Sequence, residues 1–210
     1  MKFLNKLRTK AWYWDVLCFL WCSLIFIMFL IFSVQDIKGQ TFEVKLSEAG
    51  IEISKDYVVY DGSYRRIDYP NGDVPPHIGV CTDVIIRAYR KVGIDLQKLI
   101  HEDIVKNLSK YKRVVKPDSN IDHRRVPNLA TFFKRYGKVL PITNNPDDYK
   151  PGDIIWWNLS NNGSLNHIGM VINKKSKDNT RYLVVHNIGS GQNIDDFLFN
   201  AKIIGHYSYK

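Results

Sequence analysis

Residues 77–90, HIGVCTDVIIRAYR, span the junction between the loop at 61–79, which is rich in proline and glycine, and an amphipathic helix; Cys81 stands at this junction. The apolar residues after Cys81 recur at helical spacing, so one face of this helix is predicted to join a core. Gly93 is placed to end the helix, because glycine readily adopts the left-handed conformation that closes many helices. The residues before and after this stretch decide what the cysteine can do.

Cys81 is predicted to be a nucleophile. The chain has three cysteines, but Cys18 and Cys22 lie in an apolar segment near the N-terminus. A helix start carries free N–H groups and a partial positive charge, which favour a thiolate. This position also predicts an accessible sulfur. A buried inert thiol and a metal ligand are the alternative interpretations.

Composition is typical of a globular protein with one domain. Hydrophobic residues make up 45% of the 210 residues and aromatic residues 13%, which is enough for a packed core. Thirty basic residues against 21 acidic ones give a net charge of +9. That excess favours anionic surroundings. It is dispersed along the chain, so no nucleic-acid partner is expected.

Residues 16–32, VLCFLWCSLIFIMFLIF, are predicted to anchor the chain in a membrane. This segment is at the short end of a spanning helix. Four basic residues precede it and predict a cytoplasmic N-terminus. Residues 33–35, SVQ, are a poor cleavage site, so an uncleaved signal anchor is favoured over a cleaved signal peptide. Either route places the remainder at the periplasmic or extracellular face, or in secreted form if cleavage occurs.

The element pattern predicts an α+β fold. Residues 1–35 are assigned to the cytoplasmic tip and anchor, 36–45 to a linker, and 46–210 to the folded domain. Helices are expected from Leu46, from Cys81, over 95–111 and over 127–136. Short strands joined by turns follow, near 138–140, 153–157, 167–172, 182–187 and 203–209. Helices followed by such strands are typical of an antiparallel sheet covered by N-terminal helices.

Two histidines complete a possible constellation with the thiol. His167 begins one apolar strand, and His186 ends the next. In an antiparallel hairpin the start of one strand lies beside the end of the other, so the two imidazoles should meet at one edge. A helix-start thiolate facing that edge would have a base and an orienting group. Asn187 is the alternative third member, and a zinc site made by the cysteine and both histidines also stays open.

At four blocks the sequence resembles the YijF-like bacterial family of unknown function and the wider NlpC-type, papain-like cell-wall peptidases. The blocks are GVCTD around Cys81, PGDIIWW at 151–157, NHIGMV at 166–171 and VHNIG at 185–189. The resemblance implies a papain-like fold and a triad of Cys81, His167 and His186. The nucleophile block departs from the usual Asp-Cys-Ser-Gly, and the insertion before His167 is long.

The resemblance also implies where a substrate would be held. A tyrosine upstream of the cysteine often serves near the oxyanion, and Tyr69 is taken as the candidate, although Tyr60 or Tyr64 could serve. Further expected substrate contacts are Asp83, Arg124, Arg125, Asn166 and Asn187. The simpler interpretations are a helix-dipole role for Asp83 and a solvated loop at 122–125. Asp153 is expected to shape a turn, and one of Trp156 and Trp157 to line a cleft.

The expected function is a membrane-anchored cysteine peptidase or amidase that hydrolyses an amide bond in peptidoglycan stem peptides. No cofactor and no resident metal are expected. The alternative from another class is a catalytically silent module that binds the cell wall or a protein. A transferase that passes the acyl group to an amine would use the same three side chains.

Overall fold

The computed structural model describes residues 40–160 and 166–210, together with residues 21, 23–25 and 28. Most of the predicted membrane segment at 16–32 lies outside these residues. No helix among the described residues has both the length and the apolar character needed to cross a bilayer. The chain divides into two units, Met1–Thr41 and Phe42–Lys210. The second unit contains Cys81 and both predicted histidines.

In the described part of this unit, helices precede most of the strands, as predicted. The helices are α1 (Phe42–Ile53), α2 (Cys81–Lys91), α3 (Leu96–Lys106) and α4 (Val126–Tyr136), with 3₁₀ turns at Leu108–Lys110, Asp122–Arg124 and Pro146–Asp148. The strands are β1 (Val59–Tyr60), β2 (Ile78–Gly79), β3 (Lys138–Val139), β4 (Ile154–Asn158), β5 (Asn166–Lys175), β6 (Tyr182–Asn187), β7 (Gln192–Asp195) and β8 (Lys202–Ser208).

The main sheet has six antiparallel strands in the order β3-β8-β4-β5-β6-β7, so the α+β prediction is confirmed. Strands β1 and β2 form a separate short parallel pair. Helices α1 and α2 both pack on β5. The sheet side of that core comes from alternate strand residues that include Ile168, Met170 and Val185. The opposite face carries a smaller cluster around Trp157.

The sequence signals at its two ends predict the bounds of α2 correctly. Its first residue is Cys81, and Gly93, two residues after its last, has a φ of +85°, as the helix-ending role requires. The Asp83 carboxylate accepts the backbone N–H of Val80 at 2.7 Å. One of the free N–H groups at the helix start is thereby satisfied, which fixes the turn that carries the cysteine.

The main departures from the predicted elements are at α1, α3 and β7. Helix α1 begins at Phe42 and takes up residues 42–45 of the expected linker. Helix α3 ends at Lys106, because Asn107 bonds back to the Asp103 side chain and a 3₁₀ turn follows. Strand β7 was missed altogether. It is short and polar, so neither hydrophobic alternation nor β-branched residues mark most of its length.

Candidate active site

Cys81 is buried, contrary to the accessible sulfur predicted at the helix start. Its exposed fraction is 6%, and it belongs to the core between the helices and the sheet. Burial raises the pKa of the thiol to about 11. A hydrogen bond from the backbone N–H of Ile168 opposes this rise in pKa, whereas the charge of Asp83 adds to it. Hydrogen bonds from the backbone N–H groups of Thr82 and Cys81 also oppose the rise. Desolvation therefore raises the pKa of the thiol more than the N–H groups at the helix start lower it, and the resting sulfur is protonated.

The structure brings the two predicted histidines together. His167 Nε2 and His186 Nδ1 are 2.7 Å apart, and both side chains are buried. Strands β5 and β6 run antiparallel, as the hairpin argument required. A Cβ added at Gly169 would stand 3.0 Å from the His186 Cβ and 3.1 Å from the Trp157 ring. The glycine of the His-Ile-Gly block therefore makes room for the second imidazole.

Asp195, which was not predicted as a site residue, extends this pair to a chain of three. Its Oδ2 lies 3.1 Å from His186 Nε2, and its side chain is 47% exposed. It comes from β7, where Asn193 lies opposite His186 in register. The sequence holds one indication of this role, the polar residues that directly follow the loop 187–191. If they form a strand paired with β6, the acidic residue of that strand comes to lie beside His186.

The hydrogen-bond chain determines which ring nitrogens carry protons. An ionised Asp195 can only accept, so His186 Nε2 must be the donor to it. Neutral His186 then accepts at Nδ1, and His167 donates from Nε2. The nitrogen of His167 that has a free lone pair is therefore Nδ1. This assignment follows from the network and not from observed hydrogens.

Both imidazoles are neutral at physiological pH. Burial, followed by the electrostatic interaction with His186, lowers the pKa of His167 to about 3. Burial also lowers the pKa of His186, although Asp195 partly offsets the shift. The rings of Trp157 and Phe197 provide the apolar surroundings, with Phe197 4.6 Å from the His186 ring centre. A neutral thiol and a neutral base are the resting components of the site.

The thiol contacts the backbone of the histidine strand and not the imidazole. Among the described residues no hydrogen bond joins the Cys81 sulfur to His167; the sulfur faces the N–H of Ile168, the next residue. Side chains alternate along β5, so His167 shares a face with Trp157 while Ile168 faces the helices. The structure therefore brings the two histidines together but does not bring the thiol to them: Cys81 lies in the core on the helix side of β5, and the His167 imidazole lies on the other face.

Asp83 and Arg124 bind each other, which corrects the expectation that they contact substrate. Their side chains are 3% and 2% exposed, and two hydrogen bonds of 2.9 Å join them. Arg124 also donates to the carbonyls of Asp61 and Ser63. Because both groups are occupied, they clamp the loop before Cys81 to the first turn of α2. They therefore position the helix start and are not free to recognise a ligand.

The segment 122–125 is mostly buried and not a solvated loop. Asp122, His123 and Arg124 are buried, while Arg125 is exposed and remains available to a ligand. His123 is 2% exposed, and its Nδ1 has no hydrogen-bond partner among the described residues. Burial, followed by the charges of Arg124 and Arg90, lowers the pKa of His123 from 6.5 to about 4.

His123→Leu is expected to stabilise the protein more at pH 5 than at pH 7. The folded pKa lies below the unfolded value, so the unfolded state binds more protons once the pH falls below 6.5. His123 therefore costs stability progressively between pH 6.5 and 4. Urea unfolding should show a gain from the substitution that is about 2 kcal/mol larger at pH 5. His77→Leu, on an exposed ring, is the control, and equal gains at both pH values would contradict the prediction.

Asn187 and Asn166 are tied to neighbouring groups. Asn187 is fully buried; it donates from Nδ2 to the Gly79 carbonyl at 3.2 Å and accepts from Gly189. It thus supports the segment before Cys81, while His186 and not Asn187 contacts His167. Asn166 accepts from the Trp156 indole at 2.9 Å.

As expected, one of the two adjacent tryptophans is in the core and the other lines a cleft. Trp157 is buried, and Trp156 is partly exposed and lines a cleft. Asp153 shapes a turn, because its carboxylate accepts the Lys150 N–H at 2.7 Å.

The tyrosine in the neighbourhood of the cysteine is Tyr60 and not Tyr69. Tyr69 is 41% exposed and packs edge-on against His101 of α3; none of its described contacts involves Cys81 or the two histidines. Tyr60, at the end of β1, has its pKa raised by burial and then by Cys81 and Asp83. The parallel pairing of β1 with β2 carries Tyr60 next to Gly79, two residues before the cysteine. That pairing could not be predicted from the sequence.

Within the described residues, no group of three or more histidine, cysteine, aspartate or glutamate side chains is arranged to hold a metal ion.

Comparison with known proteins places these residues inside one family. A family model described as a domain of unknown function, DUF1287, matches residues 47–209. "Uncharacterized protein YijF" of Escherichia coli strain K12 is 52% identical over 153 residues, which cover 71% of this chain and 73% of that protein. No solved structure matches. The family model covers most of the chain, including Cys81, both histidines and Asp195, and the chain therefore belongs to the DUF1287 family of domains of unknown function.

Proposed function

We propose that the chain is a cysteine-dependent hydrolase of amide bonds. One arrangement carries the proposal: a helix-start cysteine lies against the backbone beside His167, and His167 is bonded through His186 to Asp195. Nucleophile, base and orienting groups in that order are the parts that acyl transfer requires. The superfamily resemblance of the motif blocks implies a papain-like, NlpC-type fold and supports the same interpretation.

The proposed reaction starts from an uncharged pair. The thiol and His167 do not contact each other in the resting structure, so substrate binding must bring them within reach. The thiol proton then passes to His167 Nδ1 and the sulfur attacks the amide carbonyl carbon, forming a C–S bond. N–H groups at the start of α2 hold the developing oxyanion. The positive charge on His167 is stabilised through His186 by the Asp195 carboxylate. The C–N bond then breaks, and the amine leaves with the proton from His167.

Hydrolysis completes the cycle. Water gives a proton to His167 Nδ1 and attacks the thioester carbon. The C–S bond breaks, the acid product departs, and the proton returns to sulfur. An amine in place of water would give a transferase from the same residues.

Stem peptides of peptidoglycan are the proposed substrate, at the periplasmic or extracellular face. The support is the resemblance of the motif blocks to cell-wall peptidases and the apolar segment at 16–32, preceded by basic residues. That segment would tether the catalytic domain close to the wall and leave only the basic tip in the cytoplasm.

Mass analysis of purified wall material tests this proposal. After incubation with the full-length chain, new peptide fragments with a free amine and a free carboxylate at one bond are expected. Iodoacetamide treatment at raised pH, with mass mapping of the alkylated residue, should prevent their formation once Cys81 is modified. Fragments formed at an undiminished rate by protein alkylated at Cys81 would refute the mechanism.

A binding module that recognises the wall or a protein is the second candidate. The observation that favours it is the buried, protonated sulfur. Thiol reactivity in the presence of wall material distinguishes the two functions. Substrate-induced tightening of the site should accelerate alkylation or produce a covalent acyl adduct on Cys81, whereas a binding module should give neither.

A further inference from the structure

A cationic cleft lies around Trp156, on the strand next to the one that carries His167. It has a volume of about 500 Å³, within the range of ligand pockets. One wall is α4, the other is the segment 110–113, and Trp156 forms part of the lining. Its basic lining residues are Lys110, Lys112, Arg113, Lys134 and Arg135.

Most of this positive charge is not neutralised by the protein. Arg135 pairs with Asp103, at 2.7 Å. The other four cations form no ion pair with the acidic side chains of the described residues, and all four are exposed. The neutral polar groups of the lining are already used: Asn128 and Thr131 donate to main-chain carbonyls, and the Tyr111 hydroxyl donates to Asp103. The free side-chain donors of the cleft are therefore those of the four exposed cations.

The cleft connects to the reacting groups through two neighbouring strands. Trp156 on β4 lies opposite Ile168 on β5, whose N–H faces the Cys81 sulfur. The Trp156 indole donates to Asn166, the residue before His167. Trp156 therefore links the cleft to the start of the strand that carries His167.

We propose that this cleft binds an acidic peptide, with two or more carboxylates on the four free cations and an apolar group against Trp156. Amine and guanidinium groups converge there with an aromatic surface, and carboxylates are their natural partners. The choice of a peptide over another polyanion rests on the proposed function, because Cys81 would act on amide bonds. The exposed Arg125, at the start of α4, extends the same charge.

Fluorescence anisotropy of a labelled peptide tests the inference. The probe alternates glutamate with alanine, its counterpart replaces glutamate by glutamine, and both are titrated with the full-length chain carrying Cys81→Ala, which cannot cleave them. The glutamate peptide should bind at least about tenfold more tightly than the glutamine peptide, and less tightly as salt rises. Lys112→Glu combined with Arg113→Glu should weaken its binding at least about tenfold.

Lys174→Glu combined with Lys177→Glu is the matched control, because both lysines are exposed on β5 and the turn after it and the change in net charge is the same. It should change the affinity less than about twofold. Lys134→Glu, on the opposite wall, should weaken binding as the 112/113 pair does. Equal losses in the control, or no preference for glutamate, would overturn the proposal.

Single-stranded DNA bound as tightly, with the same dependence on residues 112 and 113, would also overturn it in favour of a nucleic-acid site. Binding does not need the thiol, so failure of hydrolysis would leave this result intact. Hydrolysis by a chain that shows no preference for the glutamate peptide over the glutamine peptide would refute the proposal about the cleft and leave the proposed hydrolase function standing.

Discussion

Cys81→Ala is expected to lower the rate of the proposed amide hydrolysis at least about a thousandfold, because the proposed acyl intermediate forms on the Cys81 sulfur. His167→Gln should cost about as much, since a nucleophile and its base act as a unit. The double variant should be no worse than either single one. Rates are measured by product formation from wall fragments. Circular dichroism should show unchanged secondary structure in all three variants.

Asp195→Asn completes this series with a smaller loss. Asp195 acts through His186, so a drop of about tenfold is expected, as for other residues that orient a catalytic group. Asp195 also holds up the pKa of His186, so its removal should move the acid limb of the pH–rate profile to lower pH. A purely structural role would not move that limb. Asp196→Asn, on a neighbouring acid that pairs with Arg181, is the control and should leave both rate and limb unchanged.

Any of three results would contradict the catalytic series. The first is an unchanged rate of hydrolysis in Cys81→Ala, and the second is an unchanged rate in His167→Gln. The third is a rate and a pH–rate profile in Asp195→Asn that equal those of Asp196→Asn.

Arg124→Met is expected to lower the free energy of unfolding by about 3–5 kcal/mol, because it leaves the Asp83 carboxylate buried without its cation. Both partners are nearly fully buried, and two hydrogen bonds join them. The loss should also loosen the turn that carries Cys81, because Arg124 holds the carbonyls of Asp61 and Ser63. Urea unfolding of the full-length chain measures the effect.

A double-mutant cycle separates the ion pair from packing. Asp83→Asn keeps an oxygen for the Val80 N–H while it removes the charge, so Asp83→Asn with Arg124→Met should recover part of the loss. Arg65→Met, on the half-exposed pair with Asp61, should cost less than about 1 kcal/mol. A loss from Arg124→Met no larger than that control, or no recovery in the double variant, would show that the buried pair does not hold the site.

Hydrophobic periodicity and end signals located the elements that matter most. Helix α2 could be placed from its first residue to Gly93, and the hairpin of β5 and β6 from its two apolar runs. These features depend on neighbours in the sequence, where side-chain period and glycine conformation act directly. The meeting of His167 with His186 followed from antiparallel pairing alone.

The residues around the thiol were harder to assign, because their roles depend on partners far away in the chain. The helix-start argument for Cys81 was sound locally, but the packing of the core buried the sulfur and reversed the direction of its pKa shift. Asp83 and Arg124 have the chemistry of substrate-binding groups, yet 41 residues separate two side chains that bind each other. Tyr60 replaced Tyr69 beside the cysteine through the pairing of β1 with β2.

Short-range periodicity and strand pairing are sufficient to predict the α+β class, the start of α2 at the cysteine and the pairing of the two histidines. The burial of the thiol, the contact of Asp195 with His186 and the grouping of four unpaired cations near Trp156 arise from packing between distant parts of the chain. The physical reason is that desolvation and charge pairing depend on distances in space, and those distances exist only after the sheet and helices have packed.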